Sequence, residues 1–179
     1  HMIRYIGNNA NYQPVSYDAD GTFSYGDWKN IWFIRNLKVV VLNDDGTEEF
    51  EVDQNDYTKD IFGNTFELSD TQNVMVAIPT IWIKFESVST NAAKYYFSDR
   101  QEDENFHAYA HTNDNGEVVP YLYVSAYMGW VDGNNKLRSK SGVLPAHEGV
   151  TITPENYRTY AQAHGPGWDM QNLAEWQLL

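Results

Sequence analysis

The chain has 179 residues and no cysteine, with 25 Asp and Glu against 12 Lys and Arg, a formal net charge of -13. That length suits one domain with enough chain to bury a core. The acidic balance argues against a nucleic-acid backbone as partner, and the lack of any apolar stretch near the ~18 residues of a membrane span argues against insertion into a bilayer. Without cysteine there is no disulfide framework, thiolate metal site or cysteine nucleophile.

His1-Met2 reads as a cloning scar, which would put the natural start elsewhere. Residues 1–26, with Gly7-Asn8-Asn9, Gln13-Pro14 and Asp20-Gly21, show turn formers and no sustained period, and are expected to form an arm or loop. A single β-rich domain is expected over 27–179. From Ile31 the apolar runs are short, β-branched or aromatic, and bounded by turn signals. Leu37 to Leu42 and Thr47 to Val52 flank Asn43-Asp44-Asp45-Gly46, the pattern of a hairpin. In the next segment Ile81, Ile83 and Phe85 alternate with Trp82, Lys84 and Glu86, which predicts a strand with one buried face; Pro79 stands just ahead of it. A second hairpin is expected from Asn105 to His111, through the turn Asn113-Asp114-Asn115-Gly116, to a strand over Glu117 to Met128.

Late in the chain the pattern changes to helical. Thr153 reads as an N-cap, Pro154 as the first helical residue and Glu155 as a first-turn acid, with Tyr157, Tyr160, Ala161 and His164 at helical spacing until Gly165-Pro166-Gly167. A second helix is expected from near Asp169, with Met170, Leu173, Ala174, Gln177 and Leu178 on one face. Its uncapped apolar end predicts that the domain is truncated at its C-terminal side.

Few residues group as catalytic sites do. His107 and His111 are four apart, but the alternation of Phe106, Ala108 and Ala110 with His107 and Tyr109 predicts strand histidines rather than metal ligands. Asp99 to Glu104 reads as a solvated charged loop. Asp53, Asn55, Asp56 and Asp60 are the densest set of hard oxygen ligands, but Thr58 stands where a calcium loop needs glycine. Neither a nucleophile elbow nor a phosphate-binding glycine loop occurs, and neither metal nor cofactor is expected. Lys136, Arg138 and Lys140 alternate as the one basic cluster, suited to an anion or to pairing with the acidic loop.

Aromatics are the unusual feature: six Trp, thirteen Tyr and eight Phe at a mean hydropathy of -0.58. Such a composition is foreign to disordered acidic segments and fits a β-rich core, an aromatic binding surface, or both. Trp28 and Trp130 lie closest to Asx/Gly loops. With Asp132 and Asn134 they form the candidate ligand-binding set, since an indole beside Asx side chains can stack on a sugar and hydrogen-bond it.

An ordered series of short matches runs from Gly26-Asp27-Trp28 through Leu42-Asn43, Asn55-Asp56-Tyr57-Thr58 and Val74 to Pro79 with Trp82 and Lys84. It continues through Tyr95 to Arg100, Phe106-His107, Tyr121 to Gly129, Leu137-Arg138-Ser139 and Tyr160-Ala161 with Gly167-Trp168. The series resembles a group of tailed-phage structural proteins, often from gut phages. The resemblance implies a C-type-lectin-like (formylglycine-generating-enzyme-like) mixed fold, α+β and β-rich, with hairpins first and one or two helices late. It also implies a place in the virion on a tail fibre or decoration, acting outside the host cell without catalysis. The implied partners are a host-surface glycan or protein and other virion subunits, further copies of the chain among them. Two alternatives stand beside adhesion: a structural connector with contacts through Tyr121, Tyr123, Tyr127 and the C-terminal helix, and a polysaccharide-degrading enzyme using paired carboxylates such as Glu102 and Asp132.

Overall fold

The computed structural model describes residues 3–6, 16–17, 19–24, 26–90, 92–146 and 153–179, without the side chains of 3–6, 16–17, 27–28 and 92. The architecture is α+β and strand-rich, with its longest helix late in the chain. Two compact units form, one from His1–Leu37 with Pro79–Leu122 and the other from Lys38–Ile78 with Tyr123–Leu179.

In the second unit, the expected hairpin forms from β4 (Lys38–Asn43) and β5 (Glu48–Val52). Gly46 takes a positive φ of 83° and closes the turn by donating its N–H to the Asn43 carbonyl at 2.9 Å. Gly46 is the turn residue with a positive φ, and the register shifts between Val41 and Leu42, so the connection is a wider turn with a bulge rather than a two-residue one. β4 also pairs antiparallel with β6 (Gln72–Pro79), and the sheet order is β5-β4-β6-β9, with β9 spanning Tyr121–Ser125. Val39 to Leu42 are all buried, as a central strand covered on both faces requires. On one face Val39, Val41, Val52 and Val74 pack with Phe50, Phe66, Leu68, Ala126 and Tyr127.

The strand expected to reach Met128 ends at Ser125. Beyond it Ala126 donates to the Val74 carbonyl, and Ser139, fully buried, accepts the Tyr127 N–H on its hydroxyl and donates to Val74 O at 2.6 Å. A short hairpin of β10 (Trp130–Val131) and β11 (Leu137–Arg138) lies between them in sequence. The first late helix, α2 (Pro154–Gln162), starts as its sequence predicts, with Thr153 Oγ1 accepting the Asn156 N–H. The second, α3 (Leu173–Leu178), begins later than expected because Asn172 and Glu175 form a reciprocal capping box.

In the first unit, β1 (Ile3–Ile6) pairs with β8 (Ala92–Ser98), which pairs with β7 (Trp82–Ser89), and β2 (Ser16–Tyr17) pairs with β3 (Phe23–Ser24). The stretch read as an arm thus holds strands, those of β1 from the β-branched Ile3 and Ile6. After a 3-10 turn over Gly26–Asn30, the helix α1 (Trp32–Arg35) occupies a place where strands were expected. Its Phe33 packs on Phe97 of β8 at 6.1 Å between ring centres. Ile81 is buried, but Ile83 is half-buried like its neighbours Trp82 and Lys84, and Phe85 is mostly exposed and meets Tyr95 edge-on at 5.2 Å, so the alternation does not produce one buried face.

The second expected hairpin is reduced. His107 makes one bridge with Ile83, Tyr109–His111 is a 3-10 turn, and Thr112 bridges Val118 across a turn with Gly116 at φ 80°. Hence His107 and His111 are not strand histidines. The inward alternation of Phe106 and Ala108 survives without a ladder because turns, not strand partners, hold this segment.

Candidate functional site

The described surface of the first unit holds an open hollow of about 840 Å³ lined by Lys84, Tyr96, Asp99, Arg100, Glu102, Asp103 and Phe106. Strand pairing builds one wall, since Lys84 of β7 and Tyr96 of β8 are register partners whose side chains stand on the same side of the sheet. The rest comes from the segment that follows β8, shaped by its own side chains. Ser98 Oγ accepts the Arg100 N–H at 3.3 Å and donates to Glu102 at 3.1 Å. Asp103 Oδ1 accepts the Asn105 N–H at 2.8 Å, its carbonyl accepts the Phe106 N–H, and Gln101 donates to the Phe106 carbonyl. These local bonds carry Phe106 inward, where it is 2% exposed and 6.4 Å from the Tyr96 ring.

The charges in the hollow come in pairs. Lys84 Nζ lies 2.7 Å from Asp103 Oδ2, above the Tyr96 and Phe106 rings at 5.9 and 5.6 Å. The Arg100 guanidinium, on a side chain 69% exposed, sits 3.0 Å from Glu102. Behind Tyr96, its hydroxyl donates to Glu86, which also pairs with Lys94. Asp103 holds the Lys84 ammonium above its ordinary pKa, and Lys84 together with the Asn105 N–H holds the Asp103 carboxyl below its own. A general acid needs the opposite shift. Chemically, the hollow offers alternating donors and acceptors beside an aromatic wall.

A second polar cluster lies in the second unit and is buried. Arg138, 2% exposed, donates from Nε to Asp132 at 2.8 Å and from both terminal nitrogens to Asp44. Lys136 Nζ reaches Asp44 at 2.7 Å. His164 sets Nδ1 2.8 Å from Asp44 and Nε2 2.8 Å from the Leu137 carbonyl, and stacks on Trp168 at 4.3 Å. Trp168 Nε1 donates to the Asp44 carbonyl. Burial raises the pKa of both carboxyls, but the donors outweigh it: Arg138, Lys136 and His164 for Asp44, and the Lys136 N–H, Arg138 and the Asn134 N–H for Asp132. The basic cluster of the sequence therefore pairs with Asp44 and Asp132, while Lys140 stands 3.9 Å from Asp70.

The candidate ligand residues divide between the units. Trp28 lies in the 3-10 turn of the first unit, with its side chain outside the described residues. Trp130, Asp132 and Asn134 share the β10–β11 hairpin of the second: Trp130 is half-buried, Asn134 is exposed, and Asp132 accepts from the Asn134 N–H, the Lys136 N–H and Arg138. Asp132 thus serves the turn and the buried cluster. Among the acidic set weighed for calcium, the carboxylates face their own loop. Asp53 accepts from Asn55, and Asp60 from the Phe62 and Asn64 N–H groups. Asp56 accepts from Thr58 and from Lys59, which draws its pKa down to about 2. Among the described residues no group of three or more His, Asp or Glu is placed to hold a metal ion.

The charged run 99–104 has the sequence pattern of a solvated loop, which hides the hollow. The signal that points to it is Lys84 on the outward face of a predicted strand together with an aromatic, Phe106, just after the acidic run. Comparison with family models, with curated proteins and with solved structures finds no significant match.

Proposed function

We propose that this chain is a tailed-phage virion protein, of the C-type-lectin-like fold that its sequence resembles, which recognises a host-surface glycan without catalysis. The observation that carries the reading is the open hollow of the first unit, where paired charges and the Tyr96 ring line one surface. Sugar hydroxyls donate and accept together, so a lining that alternates carboxylates with Lys84 and Arg100 suits them, and an aromatic edge supplies apolar contact to a pyranose face. The enzyme alternative finds less support: Asp132 is bound up with Arg138, and Asp103 is held towards its ionised form.

The test is a glycan array probed with the chain and with Arg100→Ala, a change at an exposed side chain. The reading predicts binding to a restricted set of glycans and a loss of about tenfold or more in the variant, about 1.4 kcal/mol. An array on which the chain binds nothing, or on which the variant binds equally, would contradict it.

A second reading, assembly with other virion subunits, is favoured by apolar side chains left on the surface. Phe62 is 83% exposed at the tip of a turn, and Leu173 and Trp176 stand outward on α3. Sedimentation over a range of concentrations tests it: self-association weakened by Trp176→Ser supports the connector role, and a monomer at every concentration removes assembly between copies.

A further inference from the structure

Resting on the glycan reading above, we infer that the hollow sorts saccharides by charge, accepting neutral and amine-bearing sugars and refusing acidic ones. Its lining sets two cations, Lys84 and Arg100, against three carboxylates, Asp99, Glu102 and Asp103. Both cations are already engaged. Lys84 is held at 2.7 Å by Asp103 and faces two aromatic rings, and Arg100 is held at 3.0 Å by Glu102.

Lys84 and Arg100 keep spare N–H donors, but a sugar carboxylate reaching either cation would lie beside the protein carboxylate already paired with it. That leaves two like charges side by side in one hollow, a costly placement in any interface. The wider charge of -13 works in the same direction by repelling polyanions on approach. A sugar ammonium displaces nothing. Each carboxylate oxygen carries two lone pairs, and Asp103 Oδ2 and Glu102 Oε2 each have one described donor, Lys84 and Arg100 respectively, so an incoming N–H can add to the existing bonds. Neutral hydroxyls fit between the pairs without displacing them.

The experiment is titration calorimetry of the full chain with three tetrasaccharides that differ in charge: β-1,4-linked glucosamine, its N-acetylated form, and α-1,4-linked galacturonate. The expected order is glucosamine tightest, the N-acetylated form weaker by up to about tenfold, and galacturonate weaker than glucosamine by about a hundredfold or more, a factor equal to about 2.7 kcal/mol. In Glu102→Gln the amide still accepts from Ser98 but no longer neutralises Arg100, and galacturonate binding is expected to rise about tenfold while glucosamine binding falls. Galacturonate binding as tightly as glucosamine, or no gain in the variant, would overturn the charge rule and leave the glycan reading standing. Binding of none of the three by either protein would overturn the rule together with the reading it rests on.

Discussion

Arg138 shows how one side chain sets the requirements of its surroundings. A guanidinium that is 2% exposed needs every donor met, and it bridges Asp44 to Asp132 while His164, Lys136 and Trp168 close around Asp44. Removing one partner of such a buried pair leaves uncompensated charge, so Arg138→Met should destabilise the protein by about 3–5 kcal/mol. Urea unfolding would show it as a lower midpoint, and a loss below about 1 kcal/mol would mean the cluster contributes little. The two depressed carboxyls of this cluster, more buried than the other depressed ones, contribute to the pH dependence. A folded pKa below the unfolded one gives stability that is complete above the unfolded value, near 3.9, and is lost as pH falls through the folded one. The thermal midpoint should therefore fall steadily from about pH 5 downwards, and Asp44→Asn should flatten that slope; an unchanged slope in the variant would place the acid sensitivity elsewhere. At this scale the sequence was half legible. The alternation of Lys136 with Arg138 marked a basic face, but its partner Asp44 sits far away in sequence, and nothing local distinguishes it from Asp45, whose carboxylate merely caps Thr47.

Elements whose cause is local were legible. The turn at Gly46 and the Thr153-Pro154 start of α2 rest on a positive φ, a cap and a missing donor, all set within a few residues. Thr153→Ala should cost about 1 kcal/mol by losing the cap, read from chemical denaturation. Elements fixed by distant packing were not legible. The α1 turn is stabilised by Phe33 against Phe97, and Phe85, apolar on an apolar face, stays exposed because the alternation says which side a residue faces and not whether anything covers that side. The same holds for Gly129, where an added Cβ would come within 2.7 Å of Leu137 Cδ1. Gly129→Ala should therefore cost about 1–3 kcal/mol through displacement of Leu137 in the β10–β11 hairpin, whereas a neutral substitution would show that Leu137 moves freely.

Across the whole molecule, neither unit is a continuous stretch: the chain enters each of them twice. Cutting after Leu122 removes Arg138 and His164 from Asp44 in the turn after β4, and Ser139 from β6, so a chain of residues 1–122 should show no cooperative thermal transition for the Asp44 region. Strand-rich composition and late helices were readable because they depend on local pattern. The hollow was not, since its walls are a register pair from β7 and β8 and a segment whose inward turn at Phe106 is set by a hydrogen bond from Gln101 and one to the Asp103 carbonyl. Indoles beside Asx residues, as in the Trp130 hairpin, are conspicuous in a sequence, whereas pairing between charges is visible only in space. The measurement that tests the account most directly is backbone amide NMR of the chain titrated with the best glycan from the array. The account predicts shifts concentrated at Lys84, Tyr96 and residues 99–106; shifts confined to the hairpin of Trp130 and Asn134, or none at saturation of the array ligand, would contradict it.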